Sequence, residues 1–242
     1  MAPESRCAVF LNSEQVREAG GFRDVDSPVR ELIIRLSQRD TRTVTLLERD
    51  ISGCSSDTAN ALPPCDADLP ATAPVWPPSS HHWLAAVIKS LHVRQALPHI
   101  SSDIEASAFH AGVWQINDWL DESHSCSQAI EGAGEGNGDY WHAIMHRREP
   151  DAGNARYWFR RVGDHACCGP LADIASQALE ECHSPAAELW MNRLGRTEMW
   201  DSAAFVDFCQ TAQEGSDPDL MQAARRIQWA EMLILLAHTA QQ

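Results

Sequence analysis

From residue 81 to residue 239 the apolar residues return every three or four positions, and Gly or Pro interrupts them at short intervals. A segment with that period can withdraw one face from water only as an α-helix, so most of the chain must be a stack of short helices. The spacing predicts helices over 81–97, 103–116, 121–131, 140–149, 154–162, 170–182, 185–194, 201–213 and 217–239. In the first, Leu84, Val87, Ile88 and Leu91 share a face. Asp217 before Pro218 marks the start of the last, whose run Met232–Ala237 reads as core and whose His238 reads as an end-of-helix cation. No βαβ alternation and no Gly-rich phosphate loop occurs. The expected fold class is all-α.

The texture before residue 81 differs. PVRELIIRLSQ (28–38) reads as a helix, and the β-branched TRTVTLLER (41–49) as a short strand or extended arm. Six Pro lie between Pro63 and Pro78, in a stretch without apolar periodicity, so 51–80 is expected to be an irregular Pro-rich linker or loop. The expected organisation is residues 1–50 with a helix and a short strand, the 51–80 segment, and a helical domain over 81–242.

A formal net charge of −15 repels phosphate backbones and anionic membranes at long range, which argues against a nucleic-acid or membrane partner. No run approaches the roughly 20 apolar residues that span a bilayer. MAPESRCAVFLNSEQ lacks the apolar core of a secretory signal, so a cytoplasmic location is expected. Cys7, Cys54, Cys65, Cys126, Cys167, Cys168, Cys182 and Cys209 form no CxxC pair and match no zinc-finger spacing, so they read as packed thiols.

Two neighbouring segments share a plan. AFHAGVWQINDWLDESHSCSQAI (108–130) reads as helix, turn, helix, with Asp118 or Asp121 available as an N-cap. DYWHAIMHRREPDAGNARYWFRRV (139–162) repeats it around Glu149-Pro150-Asp151-Ala152-Gly153, with Asp151 or Asn154 as cap. Asp121 and Ala155, each near the start of a second helix, lie 34 residues apart. That period suits an array of antiparallel helical hairpins packed like tetratricopeptide or Sel1-type repeats.

The second hairpin carries the candidate chemistry. His142, His146 and Glu149 stand at i, i+4 and i+7, within about 60° of one another on a helix. Two imidazoles one turn apart suit a divalent ion, and the carboxylate could add to the set. Asp118, Asp121, Glu122 and His124 come from the first hairpin, and stacking would bring Asp121 and His124 toward His142 and His146. HxxxH without the Glu of HExxH is unspecific, and the same imidazoles could be neutral packing groups. Arg147, Arg148, Arg156, Arg160 and Arg161 make a cationic patch in an acidic protein. Beside Trp141, Tyr157 and Trp158 such a patch fits a small anionic ligand, and it equally fits ion pairs with Asp139 or Asp151. Arg147 and Arg148 leave their helix on different sides, so at most one should join the imidazole face. Ser123 beside His124 on one helix is no nucleophile–base pair, and no GxSxG occurs.

DWLDESH (118–124) and YWHAIMHRREPDAGNARYWFRRVG (140–163) resemble an uncharacterised family of planctomycetes, other bacteria and filamentous fungi with D-x-L-D-x-S-H and YWHAIMHRRE motifs. The likeness spans about residues 105–165, with weaker likeness at 200–209 and 225–236. It implies no activity. The family pattern leads one to expect His where Asn117 stands and a bulkier turn than Ala152-Gly153.

Three readings follow. In the first, His142, His146, Asp121 and Glu149 are catalytic, and His142, His146 and His124 hold a divalent metal. Arg148, Arg160, Tyr157 and Trp141 then bind a small anionic substrate in a metal-assisted hydrolase or lyase. In the second, the hairpins form a module that presents a concave face to a protein partner. The third makes the polar cluster a structural network of buried pairs.

Overall fold

The computed structural model describes residues 6–11, 45–50, 88–89, 91–97, 100, 102–116, 118–197 and 199–240. The expected helix at 28–38 and the Pro-rich 51–80 segment lie outside these residues. Strands β1 (Arg6–Leu11) and β2 (Thr45–Asp50) pair antiparallel, Arg6 opposite Asp50 and Leu11 opposite Thr45. The other described elements are helical. In order come α1 (Val93–Ala96), α2 (Asp103–Ile116), α3 (Leu120–Gln128), α4 (Asn137–Arg148) and α5 (Ala152–Val162). A 3-10 turn (Ala166–Cys168) leads to α6 (Leu171–Glu180). Then follow α7 (Ala187–Trp190) running into a π-turn (Met191–Gly195), α8 (Ser202–Glu214) and α9 (Pro218–Thr239).

Side-chain caps start the helices where the sequence offers acidic groups. Asp151 accepts from the Asn154 amide at 3.1 Å, Asp201 from Ala203 and Ala204 at 2.9 Å, and Asp217 from Asp219 and Leu220 ahead of Pro218. The first hairpin departs from expectation. Asp118 sits at φ 65 and turns its carboxylate onto Arg148, so Trp119 takes the N-cap position of α3 and no side chain caps it. The segment expected as one helix over 81–97 is also divided, because Leu91 and His92 are non-helical before α1.

Helices α2 and α3 form one hairpin and α4 and α5 another, with α3 and α2 both lying against α4. Two apolar clusters result among the described residues. The larger joins Phe109, Val113, Trp141, Ile144, Trp158, Phe159 and the second half of α9, from Trp229 to Leu236. The smaller joins Leu179, Trp190, Leu194, Phe205, Phe208 and the first half of α9, Leu220 to Ile227. α9 is therefore the spine shared by both. No described helix is long and apolar enough to cross a membrane.

Every residue of α4 is buried, although it carries Asn, Asp, two His and two Arg. Its polar groups must then find internal partners. Arg147 meets Glu231 of α9 at 2.5 Å and Gln228 at 3.3 Å, while Tyr140 donates to the same Glu231 at 3.0 Å. The Arg147 guanidinium lies 4.4 Å from the Phe205 ring centre of α8. Close approach also matters at Gly112, where a Cβ would stand 2.5 Å from Trp141 and 2.8 Å from Leu236.

Two stability outcomes follow. Glu231→Ala strands a buried guanidinium and should lower the unfolding free energy by about 3–5 kcal/mol in urea titrations. Gly112→Ala should lower it by roughly 1–3 kcal/mol through overpacking; an unchanged midpoint would mean that α2 has room to move off α4.

Candidate metal centre

His142 and His146 lie one turn apart on α4, and His124 approaches from α3. The three rings converge: centroids are 4.8 Å apart for His124–His142, 5.4 Å for His124–His146 and 4.9 Å for His142–His146. One ligand nitrogen from each lies within 4.8 Å of the others. The hairpin stacking expected from the sequence has brought the imidazoles together. It has not gathered the acids equally. Asp121 is exposed on α3 and does not join the cluster. Glu149, just past the end of α4, stands with Oε2 3.3 Å from His146 Nδ1 and is partly open to solvent.

The walls come from α5. Trp158 stacks on His142 with ring centres 4.0 Å apart, and Arg161 lies 4.8 Å above the Trp158 ring on its way to Glu131 and Asp139. The sequence groups Trp158 and Arg161 with the cationic, aromatic patch, and does not single out Trp158 as the wall of the imidazole cluster. The signal was the stripe Ala155, Trp158, Phe159 and Val162, whose helical spacing turns Trp158 toward the other hairpin.

His142 is 2 % exposed, and neither of its ring nitrogens meets a hydrogen-bond partner among the described residues. Burial pushes its pKa down to about 3, and His146, His124 and Arg161 add to the depression. Burial also lowers His146, against the pull of Glu149. Near neutral pH the His142 ring therefore keeps an unprotonated nitrogen, as a metal ligand requires.

The residues expected to bind substrate are scattered. Arg148 is fully buried, donating to the Gln115 carbonyl at 2.6 Å and pairing with Asp118, so its charge is already neutralised. Arg147 turns the other way, to Glu231; neither guanidinium joins the imidazole face. Trp141 is fully buried against Gly112. Tyr157 is 44 % exposed and accepts from Arg161 at 3.3 Å, and Arg160 is exposed. Ser123 is buried, its hydroxyl held by the Gln115 side chain at 2.8 Å. His238 is no solvated end-of-helix cation: burial lowers its pKa, and its ring meets His165 edge-on at 5.0 Å.

Comparison with protein-family models, with curated proteins and with solved structures finds no match for this chain.

The pH dependence has a definite sign. The unfolded chain protonates His142 near 6.5, whereas the folded protein resists until about 3. The stability this group contributes is complete above 6.5 and is lost as pH falls from there toward 3, at up to about 1.4 kcal/mol per pH unit. Urea midpoints measured without metal should fall on acidification below 6.5, and His142→Phe should flatten that slope. Parallel slopes in the two proteins would show that His142 is not the group responsible.

Proposed function

We propose that this protein binds a divalent transition-metal ion through His124, His142 and His146 and uses it in hydrolytic or lyase chemistry on a small anionic substrate. The observation that carries the reading is His142: a buried imidazole without a hydrogen-bond partner, facing two more imidazoles from α3 and α4. A buried polar group left in that state is costly unless a ligand completes it. Three neutral imidazoles suit Zn²⁺ and its neighbours, and a three-ligand protein set leaves a position for substrate or water. When bound, such an ion polarises a substrate oxygen and activates water for attack.

The chain's own residues divide the remaining work. Glu149, partly exposed beside His146, is placed to accept a proton at the solvent side of the cluster. Trp158 holds the His142 ring by stacking and shields it from water. Arg160, exposed on α5, supplies positive charge for an anionic substrate, since Arg148 is paired with Asp118 and Arg161 with Glu131 and Asp139. Packing of the two hairpins in the manner of tetratricopeptide or Sel1-type repeats, and a cytoplasmic location, belong to the same proposal.

The competing reading is a structural network, favoured by the Trp158–His142 stack, in which neutral imidazoles simply fill the space between helices. Zinc titration by calorimetry separates the two. The metal reading expects binding that weakens at least 100-fold in His142→Ala and His146→Ala, with Glu149→Gln retaining the ion but losing ester or phosphoester hydrolysis. Binding of zinc with equal affinity by wild type and both histidine variants would leave only the structural network.

A further inference from the structure

A second group of ligands lies at the other end of α4. His165, at the start of the 3-10 turn, Cys167 within it and His238 in the last turn of α9 place one nitrogen, sulfur and nitrogen within 4.8 Å of one another. Helix α4 itself separates this group from the three-imidazole cluster. His142 and His146 occupy its middle and C-terminal turn, while Asn137 and Tyr140, which touch His165, occupy its start.

His165 is oriented by a buried relay. Its Nε2 lies 3.2 Å from Asn137 Oδ1, and Asn137 Nδ2 donates to Glu105 Oε2 at 2.6 Å. Glu105 is 4 % exposed, and its other oxygen accepts the Glu135 amide at 3.2 Å. With the Asn137 nitrogen committed to a carboxylate, its oxygen can only accept, so the proton of His165 sits on Nε2. The lone pair is then on Nδ1. That lone pair accepts the Cys167 amide N–H at 3.3 Å, a long hydrogen bond that caps the 3-10 turn and that a bound ion would displace. A carboxylate–amide–histidine chain that fixes one tautomer and presents the opposite nitrogen is how metal-ligating histidines are commonly held.

The thiol is equally placed. Cys167 is 2 % exposed, and the contact of its Sγ with the Ile234 carbonyl is long, 3.9 Å. His238 closes the group from α9, its ring edge-on to His165 with centres 5.0 Å apart. Glu105 and Glu135 lie near enough to act on His238 electrostatically, so the acid that orients one imidazole also faces the other.

We propose that His165, Cys167 and His238 form a second metal site, for a thiophilic ion of the Zn²⁺ or Cu⁺ class. One sulfur with two imidazoles selects such ions over hard, oxygen-seeking ones. Binding forms one metal–sulfur and two metal–nitrogen bonds and releases the Cys167 thiol proton to solvent, with no change of oxidation state. The site ties the 3-10 turn to the end of α9. Its role is structural closure of the contact between the 3-10 turn and α9, and it does not depend on the three-imidazole reading.

Cobalt(II) titration of the full chain tests it, because only a sulfur ligand gives a thiolate-to-cobalt charge-transfer band. The wild type should bind two equivalents and show the band. Cys167→Ser should lose the band and one equivalent while circular dichroism stays unchanged, and His238→Gln should weaken the banded site at least tenfold. His142→Ala should keep the band. No band in the wild type, which needs no variant to fold, overturns the proposal, as does a band that survives Cys167→Ser. A band lost in Cys167→Ser, together with undiminished stoichiometry in His142→Ala, would instead remove the three-imidazole centre and leave this site standing.

Discussion

Arg147 carries its guanidinium into the middle of the molecule, where Glu231 meets it at 2.5 Å with both side chains essentially inaccessible to water. Desolvating two charges is expensive, and their attraction offsets that only when the remaining donors and acceptors are also used. Here most are. Gln228 accepts from two Arg147 nitrogens, Tyr140 donates to Glu231, and Phe205 and Phe159 face the guanidinium with their rings. The pair locks α4 to α9 in one register, because a shift of either helix would leave a buried charge alone. The second candidate centre depends on that register, because His238 must arrive from α9 near the start of α4.

A helix buried on all sides normally carries apolar residues all round. α4 is instead a polar helix, and many of its polar groups have internal partners. Asp139 accepts the Gly132 amide and faces Arg161, Asn137 serves Glu105, and Arg148 serves Asp118 and the Gln115 carbonyl. Trp141, Arg147 and Arg148 each leave one side-chain nitrogen without a hydrogen-bond partner, whereas His142 leaves both of its own. The helix that organises the fold is the one that offers ligands.

Much of the helical plan was legible from residue types. α2 matches its expected span, and Asp151 and Asp217 cap the helices they were expected to cap, because capping and i, i+4 spacing act over a few residues. Local rules failed where a distant charge outbid them. Asp118 could have capped α3, but Arg148, 30 residues away, takes its carboxylate. Among the candidate site residues, His142 and His146 were visible as one face of one helix. Which arginine would remain exposed was not visible, since Arg147, Arg148 and Arg161 look alike until α9, the α2–α3 turn and the α3–α4 loop are packed around them.

The sequence by itself determined the helical class, most helix boundaries and the pairing of His142 with His146, because each depends on spacing within a single turn or two. Only the tertiary structure decided that His124 completes that pair, that Trp158 covers it, and that His165, Cys167 and His238 converge from segments over 70 residues apart. The physical reason is reach. Backbone periodicity sets which side of its own helix a residue occupies, but what stands opposite is chosen by how buried charges on different helices find one another.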